Sequence, residues 1–217
     1  MKKELLEKAL QLYAGEKVLD RLHKLGEKAL DPFYEKHLLT LYGQDLKSMY
    51  VNGEVVSLDE LMQFKYDYMN LLTNNIRNHS GYIEHYERDF ILTFWETEKK
   101  FHATDACKCA LDAIKIAEQM NEKWNQYGIS NIKSKIGIVT GNVLLGNFGS
   151  DHRLMYSLSG EIVNFLHKVV DANTKFNTQI LVSQTTKVLT TEEISFIPVE
   201  EIMIKGKKEP EILYAIN

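Results

Sequence analysis

The chain has no long apolar run. No segment approaches the roughly 18 consecutive apolar residues that a membrane-spanning helix needs. The N-terminal MKKELLEKALQLY is basic but carries acidic residues where a secretion signal would have an uninterrupted apolar stretch. Basic residues are also not in excess, since 26 Lys and Arg face 30 Asp and Glu for a net charge of -4, and this disfavours a nucleic-acid partner. These absences predict a soluble, cytoplasmic protein.

Cysteine is scarce as well. Cys107 and Cys109 are two positions apart on a predicted helix, where their side chains point in different directions and cannot form a disulfide of ordinary geometry. We expect both to be small buried side chains in a reducing compartment. No segment resembles a linker, so the 217 residues predict one main core with a short helical extension, divided as 1–34 and 35–217.

Hydrophobic periodicity and turn residues predict helices that alternate with strands. The expected helices are an amphipathic region over 2–27, a helix capped by Ser57 with Leu58, Leu61, Met62, Met69 and Leu72 on one side, and a helix capped by Thr104 whose alanine ridge ends at Gly128. The expected strands are 37–42, two strands over 81–95 around an Arg88-Asp89 turn, a hairpin over 135–145, a strand over 179–182, and a final hairpin of 202–205 with 212–215. This order predicts an α+β fold of ferredoxin-like type, with a largely antiparallel sheet flanked by helices.

The most informative segment is KIGIVTGNVLLGNFGSDHRLMYSLSGEIVNFLHK, residues 135–168. Its second half predicts a helix on which Asn164 and Lys168 are four residues apart, so both polar groups point from one face. A separate apolar stripe accounts for core packing. The stripe consists of Ile162, Phe165, Leu166, Val169 and Val170. Asn164 and Lys168 are therefore available for chemistry.

The same segment resembles the hairpin and helix of the class III nucleotidyl cyclases, the adenylate and guanylate cyclase family. Eight positions match that family's pattern in register. They are Gly137, Gly141, Gly146, Gly149, Tyr156, Gly160, Val163 and Asn164. The resemblance implies the class III cyclase fold and an enzyme that converts a nucleoside triphosphate to a 3′,5′-cyclic nucleotide and pyrophosphate.

Two aspartates in this family hold two divalent cations, Mg²⁺ or Mn²⁺, in each active site. The resemblance assigns the first to Asp45 in LTLYGQDLKSMY and the second to Asp89 in GYIEHYERDFILTFW. Two anionic ligands suit this task because metals about 3.5 to 4 Å apart share carboxylates while they contact the attacking and leaving oxygens. A shifted register would place Gln44 in the first position, and a solvated carboxylate at a strand end is the structural alternative for Asp45.

Other positions depart from the family. Arg88 replaces a glycine before the second aspartate, and a positive backbone torsion there would strain an arginine by about 1 kcal/mol or more. His85 and Ser157 occupy the base-reading positions but match neither the adenylate nor the guanylate pair. Histidine and serine can both donate and accept, so the base is open between a purine and a pyrimidine.

The resemblance makes Asn164 the residue that positions the ribose, and it places Lys168 where the family has an arginine beside the α-phosphate. Lysine keeps the charge but loses the bidentate fork. Lys205, with Lys207 as an alternative, corresponds to a lysine that contacts the terminal phosphates. Because the family builds its site between two subunits, it also implies a homodimer or a related partner chain. The rival hypothesis is a catalytically silent subunit that binds nucleotide or a partner.

Overall fold

The computed structural model describes residues 2–53, 55–191, 194–202 and 210–216, with the backbone alone for 47–49 and 202. Six helices and eight strands alternate along these residues. The helices are α1 (Lys2–Ala14), α2 (Glu16–Leu25), α3 (Leu58–Asn78), α4 (His102–Trp124), α5 (Glu161–Phe176) and α6 (Gln184–Val188). The strands are β1 (Tyr34–Val51), β2 (Tyr82–Glu87), β3 (Phe90–Glu96), β4 (Ile129–Ser150), β5 (Arg153–Ser159), β6 (Ile180–Ser183), β7 (Ile197–Ile202) and β8 (Glu211–Ala215).

The chain divides into two compact units. The first comprises Met1–His37 with Asn142–Gly160, and the second comprises Leu38–Gly141 with Glu161–Asn217. In the first unit, α1 and α2 confirm the predicted N-terminal helices, and the second half of β4 pairs antiparallel with β5 from Leu144↔Ser159 to Ser150↔Arg153.

The position of this hairpin differs from the prediction. The sequence predicted a hairpin over 135–145, whereas β4 continues through those residues and the chain turns at Asp151 and His152. The glycines in this stretch serve close packing rather than a turn. A Cβ at Gly141 would lie 2.7 Å from a side-chain carbon of Ile162, and one at Gly146 would lie 2.1 Å from the carbonyl oxygen of Phe33.

The second unit contains most of the sheet, whose strands lie in the order β2-β3-β1-β4-β6-β8-β7. The pairs β1–β3, β2–β3, β6–β8 and β7–β8 are antiparallel, and β4–β6 is parallel. This arrangement confirms the predicted α+β fold with a largely antiparallel sheet. It also confirms the two strands around Arg88-Asp89, and β3 is buried along five consecutive positions, as a strand covered on both faces should be.

Helix α3 begins as predicted, and of the five residues expected on its apolar side Leu72 is buried and Leu61 and Met69 pack against the core. The Ser57 hydroxyl caps the helix by accepting from the Glu60 backbone N–H, and the Glu60 carboxylate completes the capping box. Leu58 and Met62, expected on the apolar side, are 73% and 57% exposed. The fully buried face of α3 follows an i, i+4 spacing and includes two aromatic residues. It consists of Phe64, Tyr68, Leu72, Asn75 and Ile76.

Helix α4 starts two residues before the predicted cap at Thr104. Thr104 is buried inside the first turn, where its hydroxyl accepts from the backbone N–H of Thr191 at 3.1 Å. The alanine ridge is confirmed, since all of its members are buried against the core. Cys107 and Cys109 are free and buried, as expected, and burial raises the pKa of the Cys107 thiol to about 12. Among the described helices, none combines the length and the apolar character that a bilayer crossing requires.

Candidate active site

The sheet places Asp45 on a strand next to the turn that carries Asp89. The ladder between β1 and β3 has its last pair at Asp45 and Phe90, and the backbone N–H of Leu46 donates to the carbonyl oxygen of Asp89 at 2.8 Å. The aspartates therefore lie on neighbouring segments, with the Asp89 side chain 30% exposed. Asp45 was predicted to follow a strand over 37–42 but lies inside β1, because that strand continues to Val51. Gln44 is fully buried, where its amide donates to the Ser134 hydroxyl.

Arg88 has the positive torsion on which the sequence argument depended. Its φ is +52°, and it occupies the first position of the two-residue turn between β2 and β3. A non-glycine residue in the left-handed region costs about 1 to 2 kcal/mol. The substitution of glycine by arginine at this point is therefore tolerated with strain, and the arginine side chain is exposed.

The second aspartate already holds a cation from the protein itself. The ammonium nitrogen of Lys65 on α3 lies 2.8 Å from Oδ1 of Asp89. The carboxylate oxygens of Asp45 and Asp89 are the kind of donor that Mg²⁺ and Mn²⁺ prefer, so the donor chemistry fits either ion. In the described part of the chain, no group of three or more His, Cys, Asp or Glu side chains converges on one point. A metal at the aspartates would thus need further oxygen ligands from phosphates or water.

His85 lies on β2 beside a β-bulge. The register of β2 against β3 shifts between Ile83 and His85, which leaves Glu84 as the extra residue. The Glu84 side chain is only 2% exposed, and its carboxylate contacts Nδ1 of His85, while Nε2 of His85 is 3.8 Å from the Glu87 carboxylate. The imidazole is 42% exposed and therefore accessible to a ligand.

Asn164 and Lys168 both lie on the exposed side of α5, four residues apart as predicted. Of the predicted stripe, four residues are buried and Ile162 is partly buried. Within the described residues, neither Asn164 nor Lys168 makes a side-chain hydrogen bond or an ion pair. Helix α5 contacts the start of β3 through the His167 and Phe90 rings, whose centroids are 4.7 Å apart.

Close packing fixes α5 on the sheet. A Cβ at Gly43 would meet side-chain atoms of Phe90 and Leu166 at 2.6 and 3.1 Å, and one at Gly137 would lie 3.0 Å from the backbone nitrogen of Val170. The absence of side chains at these glycines lets the helix approach the strands. The position of the Asn164 face is therefore set by the two glycines beneath the helix.

The remaining predicted site residues are in other parts of the chain. Ser157 lies on β5 in the first unit, half-buried and paired with Gly146. Lys205 and Lys207 are outside the described residues, so their assignment stays a prediction. Sequence reasoning missed Lys65 and Glu84. Lys65 is 24 residues from Asp89 with no spacing signal to link them, and a bulge that buries Glu84 cannot be read from the alternation of β2.

A largely antiparallel sheet flanked by helices is the fold expected of a nucleotidyl cyclase domain. Residues 84–217 match the family model described as the adenylate and guanylate cyclase catalytic domain. The chain belongs to this family. This confirms the family that the hairpin and helix motif indicated.

Individual relatives are distant. Adenylate cyclase 1 of Rhizobium meliloti (strain 1021) is 25% identical over 162 residues, which are 74% of this chain and 24% of that protein. The adenylate cyclase of Anabaena cylindrica is 23% identical over 185 residues, 82% of this chain and 36% of that protein. The chain thus spans well under half the length of these relatives.

Solved structures share the fold. The adenylyl cyclase CyaB from P. aeruginosa has a TM-score of 0.73 at 22% identity, over 85% of this chain and 96% of that chain. A bacterial light-regulated adenylyl cyclase has a TM-score of 0.82 at 17% identity, over all of this chain and 62% of that chain. The guanylyl cyclase Cya2 has a TM-score of 0.71 at 22% identity, over 84% and 92%. At such identities the likeness establishes the fold alone.

Proposed function

We propose that this protein is a nucleoside triphosphate cyclase. In the reaction, the ribose 3′-oxygen forms a bond to the α-phosphorus, the bond from the α-phosphorus to the bridging oxygen breaks, and pyrophosphate leaves while the hydroxyl proton passes to solvent. The observation that carries the proposal is the placement of Asp45 and Asp89 on adjacent segments of a family member's sheet.

Asp45 and Asp89 would hold two Mg²⁺ or Mn²⁺ ions. When bound, such ions supply activation of the 3′-hydroxyl and neutralisation of charge on the triphosphate. Asn164 would fix the ribose so that the hydroxyl lines up with the α-phosphorus. Lys168 would stabilise negative charge that develops on the α-phosphate, as a point charge rather than a bidentate clamp.

His85 and Ser157 would read the base, with Lys205 at the terminal phosphates. The Glu84 carboxylate that contacts Nδ1 orients the imidazole, and Nε2, which is 3.8 Å from the Glu87 carboxylate, would be the nitrogen that faces a base. The departures from both family pairs leave purine and pyrimidine triphosphates as candidate substrates. Residues 35–217 would form the catalytic domain, and residues 1–34 a helical extension.

We also propose that the active protein is a homodimer. Asn164 and Lys168 are exposed and, within the described part of the protomer, lack side-chain partners, as expected for groups that act across a subunit contact. A two-fold dimer would combine the aspartates of one protomer with the α5 face of the other and so form two equivalent sites.

A catalytically silent subunit is the second candidate. Three features favour it. Arg88, before the proposed metal aspartate, has a strained backbone. His85 matches neither base-reading pair of the family, and Lys168 stands where the family has an arginine. Such a subunit would retain nucleotide binding without turnover.

The test is incubation of the purified protein with each of the four ribonucleoside triphosphates and Mn²⁺, with detection of pyrophosphate and cyclic product. We expect one triphosphate to react, and Asp89→Asn to abolish the reaction with an unchanged circular dichroism spectrum. Asp67→Asn is a matched control, because Asp67 is also paired with a lysine, at 2.7 Å, but lies on α3 rather than in the turn between β2 and β3. Nucleotide binding without product at high enzyme concentration would favour the silent subunit.

A further inference from the structure

Lys65 and Asp89 form an ion pair between a helix and the hairpin turn. The Lys65 ammonium nitrogen is 2.8 Å from Oδ1 of Asp89, although the residues are 24 positions apart. The preceding residue, Phe64, is fully buried in the core and fixes this turn of α3. The position of the lysine is therefore set by the packing of the helix.

The ammonium group and a divalent ion require the same carboxylate. An ammonium donates a hydrogen bond to Oδ1, whereas a metal takes up lone pairs of the same group. Two cations at one carboxylate repel each other, so Lys65 weakens metal binding as long as it stays on Asp89. The Lys65 and Asp89 side chains are 41% and 30% exposed, and an ion pair at such a site is screened by water and easily displaced.

We propose that Lys65 is a built-in competitor for the metal site: it neutralises Asp89 when no metal is bound and raises the metal concentration at which the site fills. This inference rests on the proposed role of Asp89 as a metal ligand. Lys65 acts through the Asp89 carboxylate, so its effect is on metal affinity.

The experiment is a titration of the full chain with Mn²⁺ alone, followed by the electron paramagnetic resonance signal of free Mn²⁺. Lys65→Met keeps most of the apolar stem and removes the charge. We expect it to lower the Kd for Mn²⁺ about fivefold, which corresponds to about 1 kcal/mol. Lys123→Met is the matched control, because Lys123 on α4 pairs at 2.7 Å with Asp67 on α3, the helix that carries Lys65. It should leave the Kd unchanged.

An unchanged or weaker affinity in Lys65→Met would overturn the inference. Lys65→Gln serves as a second neutral variant if the methionine variant does not fold. Asp89→Asn separates this failure from that of the proposed function. If Asp89→Asn loses Mn²⁺ binding while Lys65→Met binds like the wild type, only the competition is wrong. If Asp89→Asn binds Mn²⁺ normally, or if the wild type and both Lys65 variants bind none, the metal assignment is wrong as well.

Discussion

Replacement of Arg88 by glycine should stabilise the protein. Arg88 has a φ of +52° in the turn that carries Asp89, and a left-handed torsion costs a non-glycine residue about 1 to 2 kcal/mol. Glycine removes this cost but adds conformational freedom to the unfolded chain, which offsets about 0.4 to 1 kcal/mol. The net gain in the free energy of unfolding should be about 0.5 to 1 kcal/mol. For a chain of this size, that raises the Tm by about 1 to 4 °C.

Urea denaturation and thermal unfolding of the wild type, Arg88→Gly and Arg88→Ala measure this gain. Arg88→Ala is the control because it removes the same exposed side chain but keeps a Cβ, so it should change the free energy of unfolding by less than about 0.5 kcal/mol. A glycine variant that is no more stable than the alanine variant would refute the strain argument. It would mean that the turn relaxes around arginine at no cost.

Three further outcomes are expected. Gly137→Ala should destabilise the fold by about 1 to 3 kcal/mol in urea, since its Cβ would meet the Val170 backbone. Gly53→Ala, with open space around the new Cβ, should instead stabilise the fold by about 0.4 to 1 kcal/mol, because alanine has less conformational freedom in the unfolded chain. Burial lowers the pKa of His102 in the folded state, so the unfolded state binds a proton at a higher pH than the folded state does. The free energy of unfolding should therefore fall as the pH drops below 6.5. This slope should be reduced in His102→Gln, and an equal slope would contradict the assignment. Lys168→Ala should lower kcat by about 10²- to 10³-fold, while Lys168→Arg should retain activity; equal loss in both would exclude a charge effect.

The fold was largely predictable because local patterns decided most of it. The alanine ridge of α4, the helix cap at Ser57 and the two strands around Arg88-Asp89 are short-range signals, and each is confirmed. The errors came from tertiary packing. A hairpin was predicted over 135–145, but β4 continues there and Gly141 is required because Ile162 packs directly on the strand. Leu58 and Met62 fit a helical stripe but are exposed, because the aromatic face of α3 packs into the core instead.

Residues of the candidate site could be predicted only where a sequence motif marks them. The spacing of Asn164 and Lys168 follows from helix geometry alone, and the resemblance supplied Asp45 and Asp89 as partners. The contact between Lys65 and Asp89 depends on how α3 packs beside a hairpin, and no local pattern encodes that distance. The bulge at Glu84 likewise arises from the pairing of two strands rather than from the sequence of one.

We infer that the aspartates of one protomer act with the α5 face of its partner. Mixing two inactive variants, Asp89→Asn and Asn164→Ala, tests it most directly. In a two-fold dimer, half of the randomly reassociated dimers are mixed and each carries one intact site. With shared sites, the mixture should recover cyclase activity to about one quarter of the wild-type level. A mixture that stays as inactive as its components, although subunit exchange is verified, would contradict it.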